Sequence, residues 1–267
     1  MKTRAAVLHD REKPRPYAES CPLTIEEVDL APPGDGELLV KIKAAGLCHS
    51  DLSVINGDRP RPVPMVVGHE AAAEVVETGP GVDDLRPGDR LVLIFVPSCG
   101  RCVPCAEGRP ALCEPAAQAN AAGTLLSGAR RLSLNGEPVH HHIGVSCFAE
   151  YAVIARESAI KVDDDLDFTE AALFGCAVLT GAGAVVNTAK VPPGASVAIV
   201  GLGGVGLMAV IAAKLSGCTD IVAIDLSEAK LQTAAQLGAT HSFNAGDPDC
   251  ADKVRAATGG GVDFGFE

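Results

Sequence analysis

The stretch SVAIVGLGGVGLMAVIAAKL, residues 196–215, reads as a buried strand, a glycine turn and a helix. A second strand, DIVAIDL (220–226), follows and carries Asp225 near its end. In that context the glycines predict a dinucleotide site. Gly201 permits the tight turn, Gly203 and Gly204 let the backbone approach a pyrophosphate, and Gly206 lets the helix pack closely on the sheet. The helix N-terminus supplies positive potential for the phosphates. Asp225 accepts hydrogen bonds from an adenosine ribose and repels a 2′-phosphate, which favours NAD over NADP. The plainer alternative is a glycine-rich turn with Asp225 as a helix cap.

Working outward, SEAKLQTAAQLG and CADKVRAATGG read as helices, THSFNA as a short strand, and VDFGFE as the opening of another. This βαβα grammar begins near Pro192 and predicts a parallel sheet. Before it the pattern differs. LTIEEVDL, ELLVKIKAAG, EAAAEVVETG and RLVLIF alternate or run β-branched, with APPGDG, GPG and RPGD between them, so the N-terminal part is expected to be a barrel-like β domain. CFAEYAVI reads as a returning strand. DFTEAALFGCAVLTGAGAVV reads as a helix, with Asp167 as N-cap and Glu170 as its capping-box partner.

Composition limits the functions that such a chain can have. The 267 residues carry 22 Lys and Arg against 34 Asp and Glu, a net charge of −12. That balance argues against nucleic acid as a partner. The uncharged stretches 171–189 and 191–213 approach membrane-spanning length, but Gly and Pro interrupt them and the second contains the strand–turn–helix. No membrane partner is expected. The N-terminal apolar run is too short for a signal peptide, so a cytoplasmic, reducing location is expected and the ten cysteines are better read as ligands and core thiols than as disulfides.

Four of those cysteines, Cys99, Cys102, Cys105 and Cys113, fall in PSCGRCVPCAEGRPALC (97–113). A disulfide knot, a redox pair and a metal cage compete for this spacing. Four thiolates around tetrahedral zinc account for all four residues, whereas a redox pair needs two and a nucleic-acid zinc ribbon wants basic surroundings. A second set is dispersed: Cys48 in GLCHSD, His69-Glu70 in VVGHEAAAEVVETG and Cys176 in LFGCAVLTG. Two sulfurs and one nitrogen are the donor set of a catalytic zinc with one open position.

Together these motifs resemble the zinc-dependent alcohol dehydrogenases of the medium-chain dehydrogenase/reductase superfamily, over essentially the whole chain. The resemblance implies a fold of α/β plus β class: a GroES-like β-barrel-type catalytic domain (1–180) carrying the structural-zinc loop (97–113), then the first half of a Rossmann doubly wound parallel sheet (181–267). It implies two zinc ions per subunit. Cys48, His69 and Cys176 would hold the catalytic one, and Cys99, Cys102, Cys105 and Cys113 the structural one. Asp51 would orient His69, Glu70 would stand beside the metal, and Ser50 would start the proton relay. His49, Thr180, Gly201, Gly203, Gly204, Val205, Gly206, Asp225 and Lys230 would contact NAD. Phe95 and His142 would line the substrate channel, with Asp58, Arg59 and Arg61 near its mouth.

The sequence departs from the family at two positions, one that contacts the cofactor pyrophosphate and one in the proton relay. His49 stands where an arginine is usual, and Ser53 where a histidine finishes the relay. The implied reaction is interconversion of a small-molecule alcohol with an aldehyde or ketone. The alternatives are an incomplete or inactive zinc-binding fragment of such an enzyme, or a non-enzymatic zinc-binding interaction module. Because the family's chains run on beyond the fourth strand, the sequence is also expected to be part of a longer protein, which in full would be a homo-oligomer.

Overall fold

The computed structural model describes residues 1–267. The chain divides into two compact units, Met1–Gly175 and Cys176–Glu267. The division expected at 180/181 falls in the same helical stretch, Phe168–Thr188, as this one.

The first unit is built from ten strands: β1 (Lys2–Leu8), β2 (Leu23–Leu30), β3 (Glu37–Ala45), β4 (Met65–Val66), β5 (Ala71–Thr78), β6 (Arg90–Leu93), β7 (Leu132–Leu134), β8 (Glu137–His141), β9 (Tyr151–Ala155) and β10 (Ala159–Lys161). Strands β1, β2, β7, β8 and β4 close into a barrel in that order, and β10-β6-β5-β3-β9 form a second sheet. Period-two alternation decides which side chains meet. Ala5 and Val7 of β1, Val28 and Leu30 of β2, and Val66, Leu132 and Val139 pack together in the barrel core. Leu38 and Val40 of β3 pack instead with Ala73, Val75, Leu91, Leu93 and Ile154 in a second core.

Five helices punctuate this unit: α1 (Tyr17–Ser20), α2 (His49–Ile55), α3 (Val103–Ala106), α4 (Glu114–Ala122) and α5 (Phe168–Ala171). Asp167 does cap α5, but through the Thr169 N–H at 2.7 Å rather than in a reciprocal box with Glu170. Residues after α5 form a π-turn, Phe174–Val178, before the helix resumes. Phe168–Thr188 is long and apolar enough, by length and composition, to cross a membrane. Its interruption by two π-turns, at 174–178 and 184–188, breaks the regular ladder expected from sequence.

The second unit holds α6 (Leu179–Gly183), α7 (Gly204–Leu215), α8 (Glu228–Leu237) and α9 (Cys250–Ala257), with β11 (Ser196–Val200), β12 (Asp220–Asp225), β13 (His241–Asn244) and β14 (Phe264–Phe266). The four strands run parallel in the order β13-β12-β11-β14. Their hydrophobic runs are covered by helices, as a parallel sheet requires. Val197 and Ile199 of β11, Ile221 and Ala223 of β12, Val210 and Ala213 of α7, and Leu231 and Ala234 of α8 share one core.

Candidate functional site

The strands of the first unit bring Cys48 and His69 to one place. Cys48 follows β3 and caps α2: its sulfur accepts the Ser50 N–H at 3.4 Å, while the Asp51 carboxylate accepts the Cys48 N–H at 3.2 Å. His69 sits in the turn between β4 and β5. That turn needs glycine at 68, where φ is +93° and a Cβ would lie 2.5 Å from the Phe148 ring. Gly46 likewise makes room for Glu70, because a Cβ there would fall 2.8 Å from the Glu70 carboxyl carbon. Both glycines make room for a neighbouring side chain, Phe148 at one turn and Glu70 at the other.

Asp51, His69 and Glu70 are all buried. Nδ1 of His69 lies 2.8 Å from Asp51 Oδ1, which leaves Nε2 as the nitrogen available to a metal. Cys48 engages the same imidazole. Burial opposes a charge on His69, yet Asp51 and Cys48 outweigh it and raise the imidazole to about 9. For Asp51, burial acts against ionisation but His142 and His69 override it, holding the carboxyl far below its usual range. The ring of His69 is flanked edge-on by Phe95, at 5.4 Å between centroids, and by His142, at 5.6 Å. An oriented imidazole and a cysteine sulfur, walled by apolar and aromatic groups, fit a thiophilic divalent metal.

The relay, cofactor and channel-mouth residues are placed differently. Ser50 is half-buried at the second position of α2, and His49 is exposed. Ser53 donates its hydroxyl to the His49 carbonyl at 3.0 Å, so that side chain is committed to the helix backbone. Asp58 closes a small turn with Asn56, and Arg61 Nη1 donates to the Asn120 carbonyl at 3.3 Å. Asn120 was not singled out from sequence. Its Nδ2 donates to the Phe95 carbonyl at 2.9 Å, tying α4 to the wall of the site. A buried asparagine in the alanine-rich run EPAAQANAA was the available signal.

The four-cysteine loop gathers as its spacing suggested. The sulfurs of Cys99, Cys102, Cys105 and Cys113 all lie within 4.8 Å of one another and none is in a disulfide. Four sulfurs about 2.3 Å from one zinc would stand roughly 3.8 Å apart, so small side-chain adjustments complete the cage. Backbone N–H groups already point at sulfur: Cys99 N to Cys113 Sγ at 3.3 Å, and Cys102 N to Cys99 Sγ at 3.4 Å. Backbone N–H groups of Arg101 and Cys102 pull the Cys99 thiol down to about 6. Burial first, then the neighbouring sulfurs, pushes Cys105 up to about 12. A shared cation would favour the thiolate form of all four sulfurs.

In the second unit, Gly201 has φ +88° and donates its N–H to the Ile224 carbonyl at 2.9 Å. A Cβ on Gly206 would lie 1.9 Å from the Gly201 carbonyl oxygen, so the start of α7 packs directly on the turn. Gly203 is different. Its φ is −79° and a Cβ there would meet nothing within 4 Å. Gly203 is the N-cap of α7, and its backbone is left uncovered by any side chain of its own. Asp225 accepts the Leu202 N–H at 2.7 Å and the Ser227 N–H at 2.9 Å, with Lys230 Nζ 3.6 Å away. Those bonds hold its carboxyl below the usual range and fix it beside the glycine turn. Val205, Thr180 and Lys230 are exposed, and Cys176, the first residue of this unit, is buried in the π-turn.

Residues 34–164 match the family described as alcohol dehydrogenase GroES-like domain, and residues 204–267 match the family described as zinc-binding dehydrogenase. The chain is 42% identical over 270 residues to an S-(hydroxymethyl)glutathione dehydrogenase of Synechocystis, covering all of this chain and 71% of that protein. An alcohol dehydrogenase zinc-binding domain protein from Burkholderia ambifaria superposes with TM-score 0.90 at 38% identity, over 99% of this chain and 70% of the other. Benzyl alcohol dehydrogenase from Acinetobacter calcoaceticus gives 0.89 at 34%, with the same coverage. The chain belongs to the zinc-dependent alcohol dehydrogenases, oxidoreductases of the medium-chain dehydrogenase/reductase superfamily.

Proposed function

We propose that this chain interconverts a small-molecule alcohol and its aldehyde or ketone with NAD, at a zinc held by Cys48, His69 and Cys176. The observation that carries this reading is the buried Asp51–His69 pair, which turns the second nitrogen of His69 towards a cysteine donor. Zinc held there would polarise the substrate oxygen and lower its hydroxyl pKa, and NAD would accept the hydride. Ser50 takes the hydroxyl proton. With Ser53 bound to the His49 carbonyl, the proton passes from Ser50 to water rather than along a side-chain relay. Phe95 and His142 wall the substrate, and Glu70 stands beside the metal ligands.

The cofactor reading rests on Gly203, whose bare backbone suits a pyrophosphate, and on the fixed anionic Asp225, which suits a ribose diol. Gly201, Gly204, Val205, Gly206, Thr180, Lys230 and His49 complete the proposed contacts. Cys99, Cys102, Cys105 and Cys113 hold a second zinc that braces their loop and takes no part in the chemistry. The reading of its cysteines as ligands and core thiols supports a reducing, cytoplasmic location, and family resemblance supports a homo-oligomer.

The test is turnover of an alcohol panel, including benzyl alcohol and S-(hydroxymethyl)glutathione, with NAD and NADP. NAD-linked oxidation of at least one alcohol is expected, and Ser50→Ala should reduce it by about 10²–10⁴-fold. Unchanged turnover in Ser50→Ala would remove Ser50 from the mechanism.

A further inference from the structure

Two buried groups, Asp51 and His142, meet at the proposed metal ligand His69. Asp51, His69 and His142 are 3%, 1% and 2% exposed. Asp51 Oδ1 lies 2.8 Å from His69 Nδ1 and 3.2 Å from His142 Nδ1, while its other oxygen accepts the Cys48 N–H. At 3.2 Å His142 Nδ1 is close enough to pair with Asp51, but its direction falls short of a hydrogen bond, and this buried nitrogen has no other hydrogen-bond partner. The backbone fixes His142 where it stands: it directly follows β8, and its own N–H donates to Ser146 Oγ at 2.9 Å.

We propose that His142 is a positioning residue, a second imidazole donor that holds the Asp51 carboxylate and, through it, the His69 ring. The inference rests on the reading of His69 as a zinc ligand. An ionised carboxylate only accepts, so the contact requires the proton of His142 on Nδ1. His69 on Oδ1 and the Cys48 N–H on Oδ2 each hold one oxygen of the carboxylate. A second imidazole on Oδ1 adds a restraint on the same oxygen that orients His69, and groups behind a metal-binding imidazole act on affinity through such restraint.

Two substitutions separate this role from simple packing. His142→Phe keeps an aromatic ring and loses the donor. His142→Asn places an amide nitrogen near the position of Nδ1 but leaves a gap. The readout is the rate of zinc transfer to a chromophoric chelator from the full chain, with the active-site phase identified as the one missing in Cys48→Ser. His142→Phe is expected to release that zinc about tenfold faster, and His142→Asn to stay near the parental rate. Parental release in both variants, or fast release only in His142→Asn, would overturn the proposal. If the parent shows no phase that Cys48→Ser removes, the zinc reading itself falls, and this inference with it. Should His142→Phe fail to fold, nitrogen-15 NMR of the parent decides, because a His142 protonated on Nε2 alone could not make the contact.

Discussion

Glu37 shows how much one buried charge depends on its neighbours. Its side chain is 1% exposed and accepts from Arg131 Nε and Ser127 Oγ at 2.7 Å, and from the Gly34 N–H at 2.8 Å. Burial pushes its pKa up, but those donors together outweigh burial and bring it below the ordinary 4.5. A depressed carboxyl stabilises the fold above its unfolded pKa, and that contribution is lost as pH falls through the folded value. Glu37→Gln should therefore cost about 1–3 kcal/mol at neutral pH, with the difference from the parent shrinking below pH 4.5. Urea midpoints of both proteins across that range are the check. Metal loss in acid affects both chains alike and cancels. A constant difference would mean that the charge on Glu37 contributes nothing. Asp225 is the corresponding residue in the second unit. Asp225→Ser should lower the NAD-to-NADP ratio of kcat/KM, and should also loosen the turn by removing an acceptor for the Leu202 N–H. A parent that already prefers NADP would contradict the ribose role.

At the scale of elements, the glycine turn and α7 make two opposite predictions. Gly206→Ala puts a Cβ against the Gly201 carbonyl and should disrupt the packing of β11 on α7, lowering the melting temperature. Gly203→Ala meets nothing in the chain, so the unit should fold normally and bind NAD more weakly. Calorimetry and NAD titration together separate the two. Parental NAD affinity in Gly203→Ala would move the pyrophosphate elsewhere. These elements were legible because their signals are local: a strand, a turn with fixed glycine spacing, and a helix, with α7 covering the expected segment 204–215. The barrel was legible only as a class. Its closure pairs β1 with β4 and β4 with β8 across long separations, and no short-range pattern specifies such partners. The π-turn around Cys176 was hidden for a related reason, since periodicity reads a regular helix through it.

For the molecule as a whole, the chain asks cysteine to do two different jobs. Clustered spacing made the loop at 97–113 readable from sequence. The dispersed set had to be assembled from single residues, each unremarkable alone, and there the family resemblance supplied what spacing could not. Even so, the contact of His142 with Asp51 was not readable, because it joins α2 to the turn after β8 across the unit. Cys102→Ser should lower stability and remove the loop's zinc while sparing the other, whereas Cys48→Ser should abolish turnover with the fold largely intact. Elemental analysis of the parent and both variants, purified without chelator, tests that division most directly. The expected result is about two zinc ions per parent chain and about one in each variant, with activity lost in Cys48→Ser. A parent holding one zinc or none, or a Cys48→Ser variant that keeps both, would contradict it.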